Sequence, residues 1–232
     1  MTEGRVIHPV DAATLIILDR SDTMPKVLLG RRHASHVFMP GKFVFPGGRV
    51  EADDTMMPFA AALEPNVEKH LLSQVDRSTA PAPHALALAS IRETFEETGL
   101  LLGAARANAP PAPDGAWMKF REVGFYPDLS VLHFITRAIT PPGPPRRFDA
   151  RFFSADIKDV AHRIENVVHA DAELVELTWV SIANARELDL PMITHIVLEE
   201  LEARIAAGFA TDLPVPFYRM RDGHFGRGLL AE

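Results

Sequence analysis

Ile91-Arg92-Glu93-Thr94-Phe95-Glu96-Glu97-Thr98-Gly99-Leu100 sets three glutamates within one turn and a little more of a helix. Because an α-helix turns once in about 3.6 residues, Glu93, Glu96 and Glu97, at i, i+3 and i+4, share one face. Like charges at that spacing repel by roughly a few tenths of a kcal/mol when solvated and by more when desolvated, so a merely solvated helix gains nothing from them. A hard divalent cation resolves the conflict. Mg²⁺ or Mn²⁺ takes oxygen ligands in octahedral geometry and is shared between carboxylates and substrate phosphates. Gly99 suits the left-handed position that ends a helix. Leu88, Ile91 and Phe95 draw an apolar stripe along the same helix, expected from His84 to Thr98 after Pro81 and Pro83, and this stripe must face the core. The glutamates then point largely the other way, toward a cleft, and Arg92 tethers the turn through ionic hydrogen bonds to nearby acids or carbonyls. A Glu-Glu pair alone is most often an acidic surface face, and the case against that reading lies upstream.

Phe45-Pro46-Gly47-Gly48-Arg49-Val50-Glu51-Ala52-Asp53-Asp54 is an apolar strand ending in a glycine turn with acids behind it. Taken with the helical glutamates, it resembles the Nudix box, G-x5-E-x7-R-E-U-x-E-E-x-G-U, where U is a bulky apolar residue. Gly48 matches the first glycine, Asp54 the first acid, Arg92-Glu93 and Glu96-Glu97 the two pairs, and Gly99-Leu100 the end. There are three departures. The 37 residues from 55 to 91 stand where the pattern has seven, Asp54 replaces the usual Glu, and Thr94 replaces an apolar residue. A branch that includes peroxisomal coenzyme A diphosphatases carries a similarly long insertion. Phe38 to Gly48 and Arg146-Arg147-Phe148-Asp149-Ala150-Arg151-Phe152-Phe153 also look like blocks of that branch. The resemblance covers roughly residues 8 to 205, with specific motifs only in those blocks.

The resemblance implies an α/β fold, an α/β/α sandwich with a mixed central sheet, here with a partly helical insertion at about 55–84 and a C-terminal helix plus tail, all in one domain. It implies a hydrolase of phosphorus-containing anhydrides that uses Mg²⁺ or Mn²⁺ and cleaves a nucleoside diphosphate joined to another group. Glu93, Glu96, Glu97 and Arg92 would carry catalysis. Glu97 and Glu93 would be the principal metal ligands, Glu96 would complete the set, and the Gly48 backbone would position metal or phosphate. Asp54 could act through a water. Glu51, Glu173 and Asp171 are further acids to consider, although a solvated loop is the commoner fate of the last two. For coenzyme A or an acyl derivative, the products would be 3′,5′-ADP and the corresponding 4′-phosphopantetheine, and the 3′-phosphate would need a cation from Arg31, Arg32, Arg147 or Arg151. ADP-ribose, NADH and other dinucleotides are the alternative substrates. A noncatalytic nucleotide-binding sensor is the alternative class, and it predicts a box with one helical glutamate missing.

Composition narrows the remaining classes. With 47% hydrophobic residues in 232, the chain can bury a substantial core. No run approaches the ~18 consecutive apolar residues of a membrane span, and the N-terminus lacks a basic region followed by an apolar run. Leu230-Ala231-Glu232 is not a peroxisomal Ser-Lys-Leu address, and a cytoplasmic enzyme is expected. The absence of cysteine excludes disulfides, thiolate ligands and a cysteine nucleophile. A formal charge of −7 argues against a general nucleic-acid surface, leaves room for a local basic patch, and says nothing against a homodimer.

The pattern along the chain predicts a hairpin from Asp11–Leu18 and Lys26–Gly30, then a basic cluster Arg31-Arg32-His33 suited to phosphate or to a solvated strand end. A strand is expected at Phe43–Phe45. Met56 to Leu72 should contain a helix, and Ser78 to Pro83 a loop. Because an insertion there must leave the glycine turn beside the helix, it should form a flap near the site, shaping substrate choice or serving only packing. Ala104 to Pro113 reads as a loop, Trp117 to Val123 as a short helix, and Ser130 to Ile139 as a strand stopped by Pro141 to Pro145. The arginines from 146 to 151 fall at a strand start, where solvent exposure is the ordinary fate, and the resemblance of this block to the coenzyme A branch implies that Arg147 or Arg151 faces ligand. Asp171 to Val180 is an acidic loop followed by a strand, capped into a helix by Ser181. Pro191 to Ala207 has a helical period, and Asp212 to Glu232 is a tail that packs on the domain.

Overall fold

The computed structural model describes residues 7–36, 39–76, 78–106 and 111–230. Phe38, the middle of the expected 104–113 loop, and Ala231 and Glu232 lie outside the described residues. The chain runs β1 (Val10–Asp19), β2 (Lys26–Arg32), β3 (Phe43–Val44), β4 (Gly47–Arg49), α1 (Ala52–Met56), α2 (Pro65–Leu71) and α3 (Pro83–Thr98). It continues through β5 (Leu100–Leu102), β6 (Ala104–Ala105), α4 (Met118–Val123), β7 (Phe125–Tyr126), β8 (His133–Ile139), β9 (Phe148–Asp156) and β10 (Val160–Arg163). Then come β11 (Leu174–Ser181), α5 (Ile182–Ala185), α6 (Met192–Ala206), β12 (Pro216–Arg221) and β13 (His224–Leu229).

The main sheet has the order β11-β2-β1-β9-β8-β12-β13. It is mixed, since β1–β9 and β8–β12 are parallel pairs and the others antiparallel. Alternation along β1 explains the layers: Leu15 and Ile17 join the core under α3, while Ile16 and Leu18 join the core under α5 and α6. On the first side they meet Leu88, Ile91 and Phe95, the stripe expected of α3, and on the second they meet Val197, Leu198 and Leu201 of α6. This is the α/β/α sandwich with a mixed sheet.

One irregularity in the sheet makes room for the site. β1 and β2 pair at Leu18–Val27 and Asp19–Lys26, next to their turn. Beyond that point β4 pairs β1 through Ala12–Arg49, Ala13–Gly48 and Thr14–Gly47, and β3 pairs β2. Gly47 and Gly48 thus lie in the sheet directly beneath α3.

The inserted segment is part of the core. Met57, Leu63, Val67 and Leu71 are buried with the α3 cluster, and the backbones of Ala60 and Ala61 bond those of Pro127 and Leu129. The expected helix is α2, whose N-terminus is capped by the Glu64 carboxylate. Elsewhere the structure differs in detail. The strand expected from Ser130 starts at His133, because the Asp128 side chain accepts from Ser130 N–H and winds Leu129–Val131 into a 3₁₀ turn. The tail is a hairpin, β12–β13, which extends the sheet beside β8. Its turn, Asp222-Gly223, has positive φ at both residues, 52° and 79°, the backbone that a tight hairpin loop requires.

Candidate active site

α3 brings the carboxylates to the glycine turn. Its hydroxyl residues are accommodated by back-bonding: Ser90, Thr94 and Thr98 are buried and donate to the carbonyls of Ala87, Ser90 and Thr94. Thr94 therefore fills an apolar position at little cost. Gly99 ends the helix at φ 76°, with its N–H bonded to Phe95 O.

Glu97 is 7% exposed, and its Oε2 accepts the N–H of Gly47 at 3.1 Å. A methyl group on Gly48 would lie 2.3 to 2.6 Å from the carboxylate atoms of Glu93, so only glycine lets that side chain lie against the strand. Arg92 organises the remainder. Its Nη1 donates to Glu93 Oε1 at 2.9 Å and Glu96 Oε2 at 2.7 Å, and its Nη2 donates to the carbonyl of Arg49 at 2.8 Å. Asp54, fully buried, receives Nε at 2.8 Å and Nη2 at 3.1 Å, and its Oδ2 also accepts Glu51 N–H. The Asp54 side chain is thus spent on Arg92 and on the start of α1, and the water-mediated role expected for it gives way to one of support. Glu51 is exposed at the N-cap of that helix.

A fourth carboxylate arrives from the loop before β11. Glu173 pairs with Arg32 at 2.8 Å, while its backbone carbonyl takes the N–H of His33. Its charge is felt within the cluster. Burial, then Glu173 and Glu93, push the Glu97 carboxyl well above its ordinary range. Burial also pushes Glu93 up to about 7, with Glu96 and Glu173 adding to the rise against the opposing pull of Arg92. Burial pulls the Arg92 guanidinium down, but Asp54 and Glu93 more than offset it and hold it above its ordinary value. Asp171 is exposed, and its N–H bonds the His169 ring.

The basic residues divide. Arg32 joins Arg92 at the cluster through Glu173: its Nη2 also lies 3.2 Å from His36 Nδ1, and its Nε is buried with no hydrogen-bond partner. Arg31 forms an exposed pair with Glu176. Arg147 donates to the carbonyls of Thr140 and Ile7. Arg151 is 1% exposed and held by Asp11 and Asp149, so the ligand-facing orientation expected of it is replaced by a place inside the sheet packing. Sequence reasoning had no means of pairing Arg32 with Glu173, which meet only through the register of β2 with β11.

Among the described residues no three acidic or histidine side chains stand as a ready-made cation cage, since Arg92 draws Glu93 and Glu96 to itself. The donor set nevertheless fits a hard divalent ion. It offers desolvated carboxylate oxygens whose mutual repulsion is only partly relieved, beside a strand that lacks a Cβ at Gly48.

Known proteins give the same picture. No protein-family model matches the chain. An acyl-coenzyme A diphosphatase NUDT19 from Xenopus laevis is 35% identical over 95 residues, 33% of this chain and 25% of that protein. The Gallus gallus protein of the same name is 27% identical over 212 residues, 70% of this chain. The chain spans about half the length of the latter, 55%. Among solved structures, a Nudix hydrolase from Alicyclobacillus acidocaldarius is 28% identical with a TM-score of 0.63, covering 90% of this chain and 97% of that one.

Proposed function

We propose that this chain, which belongs with the Nudix hydrolases in fold and in relatives, cleaves the pyrophosphate bond of a nucleoside diphosphate derivative with the help of a divalent cation. One observation carries the reading: Glu97, buried, and Glu93, half-buried, lie together against Gly47-Gly48, and Glu173 adds further negative charge beside them. Mg²⁺ or Mn²⁺, when bound, would polarise the phosphoryl oxygens and lower the pKa of a coordinated water. Glu97 and Glu93 would be its main ligands, with Glu96 and the Gly48 backbone beside them. Arg92 keeps Glu93 and Glu96 aimed, and Asp54 keeps Arg92 aimed. Water attacks one phosphorus, the bridging oxygen leaves with the other phosphate, and a carboxylate accepts the water's proton. Glu93 and Glu173 are the acids available as that base. Arg32 has a buried, unpartnered Nε with which to meet a phosphoryl oxygen.

Coenzyme A or an acyl derivative is the substrate we favour, because relatives aligned over 70% of this chain are acyl-coenzyme A diphosphatases. A chromatographic panel of coenzyme A, an acyl-coenzyme A, ADP-ribose and NADH with Mg²⁺ or Mn²⁺ tests it. Coenzyme A or its acyl derivative should be cleaved fastest, releasing 3′,5′-ADP. Faster cleavage of ADP-ribose overturns the substrate. Binding without cleavage of any compound overturns the hydrolase reading in favour of a nucleotide sensor.

A further inference from the structure

Just after α2, the inserted segment meets a network of four charged side chains, of which the two arginines are buried. Arg137 of β8 donates from Nε and Nη2 to the two carboxylate oxygens of Asp149 in β9, at 2.8 and 2.6 Å. Its Nη1 donates to the carbonyls of Gln74 and Ser73 at 3.1 and 3.3 Å, and its guanidinium stacks 4.5 Å over the Phe217 ring. Arg151 lies 3.3 Å from Asp149 Oδ1, donates to the Asp149 carbonyl at 2.7 Å, and pairs with Asp11. Both arginines are buried, 5% and 1% exposed, and Arg151 Nε has no partner.

The network reaches the catalytic turn by one more step. Asp11 lies near the start of β1, and its carbonyl accepts Val50 N–H at 3.1 Å. Val50 directly follows Arg49, whose carbonyl receives Arg92, and Gly48, which lies against Glu93. Contacts therefore run unbroken from Gln74, just after α2 in the insertion, to the strand on which the glutamates rest.

Stability alone is a poor reason for this cluster. Burying two arginines beside half-buried aspartates carries a desolvation cost that well-packed apolar residues avoid. What such a cluster offers instead is geometry, because the planar fork of an arginine fixes both distance and angle to a carboxylate.

We propose that Arg137 is a positioning residue, locking the Ser73-Gln74 turn of the inserted segment to Asp149, Arg151 and Asp11 and so fixing the placement of Gly48-Arg49 against Glu93 and Arg92. The kinetic part of this inference rests on the hydrolase reading, and the structural part does not. Two variants test it: Arg137→Lys keeps the charge but loses the fork, and Asp11→Ala removes the carboxylate at the far end of the network. Amide hydrogen exchange on the metal-free protein should speed about tenfold at residues 47–50 in both, with Leu15 to Leu18 unchanged. With a diphosphate substrate, kcat should fall about tenfold and KM stay within about twofold, as expected of a small displacement of reacting groups. Unchanged exchange at 47–50, or an equal rise throughout β1, overturns the proposal, because a plain packing role loosens the whole sheet. Asp11→Ala decides alone if Arg137→Lys does not fold. Should the wild type cleave no diphosphate, the hydrolase reading fails while the exchange measurement still decides the positioning role.

Discussion

Glu97→Gln should yield a protein that is more stable without metal and inactive with it. Gln keeps the length of the side chain and an oxygen to accept the Gly47 N–H, so packing is retained. Only charge is lost. Side chains at i and i+4 lie about 6 Å apart, and at an effective dielectric near 20 two carboxylates at that spacing repel by roughly 3 kcal/mol. Glu173 adds to that repulsion and the Gly47 N–H reduces it. A gain of about 1–3 kcal/mol follows, or about 2–12 °C in Tm for a chain of this size.

The sign depends on pH. Burial and neighbouring acids raise the Glu97 carboxyl in the fold, so the folded state binds that proton more tightly than the unfolded state. This contribution to wild-type stability is fully present below the unfolded value, about 4.5, and is lost as pH rises through the folded one. Glu93, pushed up to about 7, adds a slope of the same sign. Wild type and variant should therefore nearly coincide near pH 5, with the variant above at about pH 8. Saturating Mg²⁺ should reverse the order, since a cation bound only by the fold stabilises it by RT ln(1 + [L]/Kd) and Gln weakens that binding. Loss of a group that holds charge in the transition state should also cut kcat at least ~10²-fold. Calorimetry across pH, in EDTA and in Mg²⁺, measures the first effects, and turnover of a diphosphate measures the last. A variant less stable than wild type at about pH 8 in EDTA, or one of normal turnover, refutes the crowding of charge at this position.

Arg92→Met should cost about 3–5 kcal/mol in urea unfolding because it strands the fully buried Asp54, and adding Asp54→Asn should restore part of the loss; additive single effects would show that the pair is not coupled. In Gly48→Ala, the new methyl would meet the far end of Glu93, which can swing aside, so Tm should stay within about 2 °C while kcat drops about tenfold. Unaltered kcat would mean that Glu93 works from another position.

The helical half of the candidate site was legible because it is local. Glu93, Glu96, Glu97, the apolar stripe and Gly99 all lie within one helix, where periodicity alone assigns their faces. Pairings set by distant registers were not. Glu173 reaches the cluster because β11 pairs β2 from Leu174–Arg32 onward, and Arg151 turns inward because β9 pairs β1 in parallel, placing it beside Asp11. Neither register follows from composition or spacing. The C-terminal hairpin was a missed signal of another kind, since Asp222-Gly223 between Met220 and Phe225 is a two-residue turn readable from sequence.

The interrupted box raises the question of how two halves 37 residues apart still meet. Each half is held by the same partner strand: β4 pairs β1 along Ala12 to Thr14, and α3 packs on Leu15 and Ile17. Lengthening a flexible spacer from about seven residues to about 37 adds only about 1.5 kcal/mol of closure entropy, because that cost grows with the logarithm of length. Met57, Leu63, Val67 and Leu71, all buried in the α3 cluster, each contribute about 1.5–3 kcal/mol of burial in return. The insertion therefore stabilises the meeting of the two halves that it separates. A short loop in its place would restore the spacing of the motif and expose the face of α3 that Val67 and Leu71 cover.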